Sequence, residues 1–368
     1  MTEFRYNHDL LLSDEDRKVA LAAYPAVFRG LDHKELRDRF KAADQVAKRM
    51  KASSRRLGAL SILLVAFALV AASTAHLTEH WHGATVWAGL ATLAGLAGAL
   101  IGGFGVMHSS RKKRWLLLRY ESERLRQFFF QTQIVFAPEI AEAAATGDWS
   151  HFETVRGVAF SRLAHILDTE REARFDLAIR EEALGVTAPD RWIVRRAGQS
   201  AIPPASSVGA EQQHREAYRD LRFLGQCSFA QDKLTETGSW ISPHPADQLR
   251  AARTAAGGAI LLAVLLHLVL AVAIFGGWEG APIAWLHIAG LWLAILALAI
   301  RTLDEGLRPG AEVERYRAFR DSVRNILGRF DGARSTAKAL EAMREMEELC
   351  YDEMVSFLRS NKKASFAM

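Results

Sequence analysis

The chain has 368 residues, a formal net charge of +5, 50% hydrophobic and 24% charged residues, and two cysteines. Its Lys and Arg are interspersed with Asp and Glu, which argues against a nucleic-acid partner, and two cysteines exclude a disulfide-built scaffold. Mean hydropathy is near zero because apolar residues gather in a few segments and leave a strongly charged remainder.

Met1–Asp16 is polar and acidic, unlike a signal peptide. Ser13, followed by Asp14, Glu15 and Asp16, reads as an N-cap with acid in the first turn, where the helix dipole favours it. This helix is expected to reach about Arg29, with Gly30 ending it. Asp32 and Glu35 read as a capping box opening a second helix. That helix has no Pro or Gly through Arg56 and can feed unbroken into the apolar segment Leu57–Ala75.

Leu57–Ala75 and Gly83–Met107 form one apolar pair, and Thr254–Gly277 and Ala281–Ile300 form another. None contains Asp, Glu, Lys or Arg. Each has roughly 20 residues or more, enough to cross a hydrocarbon core as a helix. The connectors His76–His82 and Trp278–Gly280 lack Lys and Arg. By contrast Lys48, Arg49, Lys51, Arg55, Arg56, Arg111–Arg114, Arg250, Arg253 and Arg301 crowd the other ends. Positive flanks stay cytoplasmic, so both pairs are expected to point outward, with the N-terminus, the middle segment and the C-terminus inside. The same clusters suit anionic lipid headgroups, and Cys227 and Cys350 then lie in a reducing compartment as free thiols.

Between the pairs, Arg111–Ala137 is a Pro- and Gly-free helix closed by Pro138. Trp115, Leu118, Leu125, Phe129 and Phe136 fall near one face of it as a packing seam. Charged helices are expected over Trp149–Ala183, and Arg191–Val194 is the one run considered for a strand. Gly198–Gly209, with Pro203 and Pro204, reads as a linker. Helix resumes over Ala210–Thr237, breaks at Ser242–Pro245 and re-enters through Asp247–Arg253. After the fourth span, Arg308-Pro309-Gly310 makes a turn before a helix over Ala311–Phe330. The last helix, Ser335–Ser360, carries the seam Leu340, Met343, Cys350, Met354 and Phe357, interrupted by Glu347. The fold class is therefore an all-α integral membrane protein, with two transmembrane helical hairpins and long cytoplasmic helices. Its segments are 1–56, 57–107, 108–253, 254–300 and 301–368, and the order of charged helix, hairpin and charged helix occurs twice in parallel.

Few residues invite a chemical role. Ala84, Ala88, Ala91, Gly95, Gly98, Gly102 and Gly105 make one face of the second span small, and Gly98–Gly102 is a GxxxG element. That face can pack within the chain, between copies in a homo-oligomer, or along a channel. His267 and His287 are the titratable residues of the spans, with packing, hydrogen bonding or gating as readings. Without intramembrane carboxylates or cations, coupled transport lacks its usual relay. His76, His80 and His82 have ligand-like spacing near Glu79, though histidines beside Trp81 equally suit the bilayer interface. Arg191, Arg195 and Arg196 can pair with phosphate or simply cap helix ends. No phosphate-cradling or nucleophile–base motif is present, so neither an enzyme nor a cofactor is expected.

The run Asp44-Gln45-Val46-Ala47-Lys48-Arg49 leading into a hairpin, followed by Trp115, Arg119, Glu123, Leu125 and Arg126, resembles the SLATT family of two-span effectors in bacterial conflict systems. Tyr218, Arg222 and Gln226 before the second hairpin, and Glu314, Tyr316 and Arg317 after it, are similar to the same family. That family usually has one hairpin and this chain has two, which brings it nearer to related four-span effectors. The resemblance implies an inner-membrane effector of antiviral defence that permeabilises the bilayer when a nucleotide second messenger or a cytoplasmic sensor protein signals. The rival expectations are an anchored helical scaffold or adaptor, and a small-solute or ion channel.

Overall fold

In the computed structural model, residues 8–78, 83–103, 110–184, 191–195, 208–238, 244–277 and 281–363 are described. Among them there is helix and no strand. A 3-10 turn, His8–Leu10, precedes α1 (Asp14–Ala23), α2 (Phe28–Leu31), α3 (Lys34–Thr78) and α4 (Ala84–Leu100). Then come α5 (Ser110–Val135), α6 (Ala137–Thr146), α7 (Ser150–Thr169), α8 (Arg171–Leu184) and α9 (Val208–Tyr218). A π-helical segment, Arg219–Leu224, joins α9 to α10 (Gly225–Leu234). The chain ends with α11 (Pro245–Phe275), α12 (Ala281–Leu307), α13 (Pro309–Asp331) and α14 (Thr336–Lys363).

Local chemistry explains where the helices start and stop. Ser13 caps α1, with the Asp16 amide donating to Ser13 Oγ and the Ser13 amide to Asp16 Oδ2, a reciprocal box. The helix ends at Ala23, short of the expected Arg29, because Pro25 disfavours helical backbone in the residue before it. Gly30 is no stop signal. It lies inside α2, and a Cβ there would come 3.1 Å from the Trp149 ring. Nor does Asp32 cap α3; His33 Nδ1 accepts from the Leu36 amide at 3.3 Å, while Asp32 pairs with Arg17 and Arg37. From there α3 runs 45 residues without interruption.

The chain divides into two compact units. The first comprises Met1–Lys48, Arg114–Leu234 and Glu314–Lys362, and α5 is its core. The expected seam is only part of what α5 buries. Trp115, Tyr120, Leu125, Phe128, Phe130 and Ile134 are buried all round it, together with Glu121, Arg124, Arg126, Gln127, Gln131 and Gln133. These polar groups find partners: Arg124 with Gln127 at 2.8 Å, and Gln133 Nε2 with the Gly30 carbonyl at 3.1 Å. Arg191–Val194 is not a strand. The Gln131 side chain stands where a neighbouring strand would, donating to the Arg191 carbonyl and accepting from the Ile193 and Val194 amides. The expected linker Gly198–Gly209 lies outside the described residues except for its last two, which open α9.

The second unit comprises Arg49–Lys113, Thr235–Val313 and Lys363–Met368, and it holds the apolar segments. Among the described residues, four helices are long and apolar enough to cross a membrane. Inside this unit Ile62 and Ala299 are buried together with Leu57, Ala66, Leu303 and Leu307 around them. Trp292 Nε1 donates to Ser73 Oγ at 3.0 Å, and Trp87 Nε1 to Thr74 Oγ1 at 3.0 Å. Leu90, Leu93 and Leu96 on α4 and Leu261, Leu268 and Val272 on α11 are exposed, far more apolar surface than a soluble unit leaves uncovered. Charged contacts lie beyond the apolar segments. Arg55 pairs with Glu312 at 2.9 Å. Asp247, fully buried, accepts from the Thr237 and Gly238 amides and from Thr237 Oγ1.

Candidate functional site

The first unit carries a chain of alternating charges through its interior. Lys48 pairs with Asp44 at 2.6 Å, Asp44 with Arg119 at 3.3 Å, Arg119 with Glu123, Glu123 with Arg126 at 2.9 Å, and Arg126 Nε lies 2.9 Å from Asp9 Oδ2. The last contact is an ion pair by distance without hydrogen-bond geometry. Nearby, Arg222 grips Glu347 with two bonds, Nε to Oε1 at 2.7 Å and Nη2 to Oε2 at 2.8 Å. Tyr218 donates to Glu347 Oε1 at 3.0 Å. Both guanidinium faces rest on aromatic rings, Arg222 at 4.3 Å from the Phe130 centroid and Arg126 at 5.0 Å from that of Phe40.

Arg222, Arg126, Asp9 and Glu347 are at most 1% exposed. Buried charge of this kind is poor evidence for stability, because desolvation offsets most of the attraction. Its local backbone is unusual too. Arg222 sits in the π-helical segment, a wider turn that recurs at functional sites. Burial pushes the Asp9 carboxyl above its ordinary value against the pull of Arg126. Burial acts the same way on Glu123, but Arg119 and Arg126 outweigh it and hold that carboxyl low. Burial and the Glu347 charge raise Tyr218 far above the usual phenol range, so its proton stays in place to donate.

Two buried histidines add a pH dependence to the same unit. Burial, with Arg156 and Arg37 alongside, drops His33 to about 4, and burial drops His214 to about 4. Each folded value lies below the unfolded one, so the unfolded chain takes up the proton first as pH falls. Stability is therefore undiminished above pH 6.5 and is lost towards pH 4, by roughly 1.4 kcal/mol per pH unit for each ring. Protonation also removes the Nδ1 acceptor that caps α3. We expect thermal unfolding to shift downward between pH 7 and 5, and less so in His33→Asn/His214→Gln, where Asn keeps a capping acceptor. Equal shifts in both proteins would contradict this assignment.

The residues singled out by sequence are dispersed over both units. Gly95, Gly98 and Gly102 face α3: a Cβ on Gly98 would meet Val65 Cγ2 at 2.8 Å and the Ser61 carbonyl oxygen at 3.0 Å, and one on Gly102 would meet Ser61 Oγ at 2.7 Å. Ser61 Oγ also donates to the Gly98 carbonyl at 3.0 Å. Ala91 is buried, Ala84 half-buried and Ala88 exposed; Gly105 lies outside the described residues. His267 and His287 each bond the carbonyl four residues back through Nδ1, Ala263 at 2.7 Å and Ile283 at 2.9 Å. Arg191 pairs with Asp352 at 2.6 Å and Arg195 is exposed, while Arg196 lies outside the described residues. So do His80, His82 and the His76 side chain; no group of potential metal ligands occurs among the described residues.

Sequence reasoning flagged Arg126, Arg222 and Tyr218 and the odd Glu347, but it did not find Asp9 or the π-helical segment. The available signal was the lone carboxylate in the α14 seam, since a buried acid requires a buried base. No family model matches the chain, and neither curated proteins nor solved structures yield a match.

Proposed function

We propose that this chain is a bacterial inner-membrane effector of antiviral defence that permeabilises its membrane when a cytoplasmic signal reaches the charged helical unit. The observation that carries the reading is the contrast between the two units. One holds charge-free apolar helical segments with exposed leucine-rich faces, and the other is a helical body whose interior is wired with ion pairs. In this reading the apolar helices form two hairpins crossing the bilayer, with both termini cytoplasmic, as the basic flanks favour. The chain works as a homo-oligomer among anionic lipids, and its resemblance to SLATT-type effectors supplies the expectation of a nucleotide messenger or sensor protein as trigger.

Lacking charges in the spans, such a pore gates by rearranging helices around a hydrophobic constriction and performs no catalysis. Expression in bacteria, with and without a co-expressed trigger, tests it. The expected result is collapse of membrane potential and growth arrest. Intact potential at full membrane expression under every trigger favours a scaffold that uses the spans only as anchors.

A further inference from the structure

Helices α11 and α12 carry two rings whose hydrogen-bonding capacity is only half used. His267 and His287 each hold Nδ1 against a main-chain carbonyl of their own helix, at 2.7 Å and 2.9 Å. A carbonyl only accepts, so Nδ1 carries the hydrogen, and the neutral ring then presents Nε2 as a bare lone pair. No described residue donates to either Nε2. Both rings are exposed on the surface of the chain.

Helix geometry places the two rings on one flank. Gly290 faces α11, because a Cβ there would lie 3.6 Å from Leu266 Cδ2. Leu266 stands nine residues before the end of α11 and Gly290 nine residues after the start of α12, so the two helices pack antiparallel about their short connector. His267 follows Leu266 by one residue, about 100° round its helix, and His287 precedes Gly290 by three, about 60° round in the same rotational sense. Because the helices face each other and run in opposite directions, equal senses of rotation carry both rings to the same side of the pair. Their depths differ by two residues' rise, about 3 Å. His267 lies ten residues before Gly277, about 15 Å along the helix and near the middle of a hydrocarbon core of roughly 30 Å.

Lipid tails offer no donor, and a polar atom left unsatisfied at this depth is costly. Polar groups in membrane spans turn to the bundle interior or to enclosed water, and either one requires a further protein wall over this flank. We propose that the wall is a second copy of this chain, related by a two-fold axis along the bilayer normal, so that the His267–His287 flank meets itself. Each α11 then lies against the α12 of the other copy. That brings each His267 to the depth of the other copy's His287, and a water between two bare nitrogens donates to both. The inference rests on the membrane-spanning, homo-oligomeric reading above and adds which surface joins the copies.

The test uses the full chain in bacterial membranes, with two differently tagged copies co-expressed and both native cysteines removed as Cys227→Ser and Cys350→Ser. Val264→Cys in one copy and Leu291→Cys in the other put thiols on the histidine flank, and Leu262→Cys with Leu296→Cys put them on the opposite flank; all four positions are exposed. Iodine oxidation should join the first pair between copies and leave the second pair unjoined. Adding His267→Leu/His287→Leu should lower the first crosslink roughly fivefold, although leucine suits lipid better than histidine does. His267→Gln/His287→Gln, which keeps an acceptor at each position, should preserve most of it. Crosslinking on the opposite flank alone, or equally on both, overturns the inference, as does a crosslink indifferent to His267→Leu/His287→Leu. No crosslink on either flank overturns it as well, and a monomeric mass in detergent besides would overturn the homo-oligomeric reading too. Should the leucine variant fail to insert, the preference between the flanks decides alone.

Discussion

Replacing Glu347 by Leu, or Arg222 by Met, is expected to destabilise the charged helical unit by about 3–5 kcal/mol, because each change leaves the other charge buried without its partner. The double variant Arg222→Met/Glu347→Leu should recover most of that loss. It removes both desolvation costs and fills the space with apolar atoms against Phe130 and Tyr218, which already pack at 5.7 Å. Chemical denaturation of the four proteins followed by circular dichroism gives the coupling directly. Single variants that each cost less than about 1 kcal/mol would mean the pair is wetter and more adaptable than its burial indicates. A double variant that folds well yet no longer responds to a trigger would place the pair in signalling.

Gly98→Leu is the second large effect. Its side chain must enter space held by Val65 and by the α3 backbone itself, with Ser61 O at 3.0 Å and Val65 N at 3.1 Å from the first added carbon. Backbone cannot swing aside as a side chain can, so α3 and α4 must separate, at a cost of about 3 kcal/mol or more. Gly102→Ala meets only the Ser61 side chain and should cost less. Gly89→Leu, with nothing within 4 Å, should cost nothing. A cysteine pair at Ala68 and Gly95, where a Cβ added to Gly95 would lie 3.2 Å from the Ala68 Cβ, reports the contact. Oxidation should crosslink it efficiently, and Gly98→Leu should abolish that crosslink while Gly89→Leu leaves it intact. Unchanged crosslinking in Gly98→Leu would show that the small face serves some other partner.

Much of the helical plan was legible in the residues because its causes are local. Ser13 with Asp16, Pro138 in the first turn of α6 rather than closing α5, and Pro309 at the start of α13 act through their own backbone, and the apolar spans declare themselves by composition. Pro25 was legible too, and stopping α1 there needed only the rule for the residue before a proline. The capping role of His33 was not, since a histidine ring accepts only when neutral, and burial beside Phe128 and Phe160 is what keeps it so. The encirclement of α5 was hidden for a related reason. Its arginines and glutamines read as a solvated face until their partners, distant in sequence, are known. Asp9 pairs across more than a hundred residues, and no spacing along the chain foretells that.

Release of an encapsulated dye from vesicles carrying the purified full chain tests the central claim most directly. Vesicles of anionic lipid, with the charged unit facing outward and a candidate trigger added outside, should empty with wild-type protein and stay sealed with Gly98→Leu, whose spans can no longer pack. Vesicles that remain sealed with folded, correctly inserted wild-type protein under every phosphate-bearing or protein trigger would contradict the account and leave the chain as an anchored scaffold.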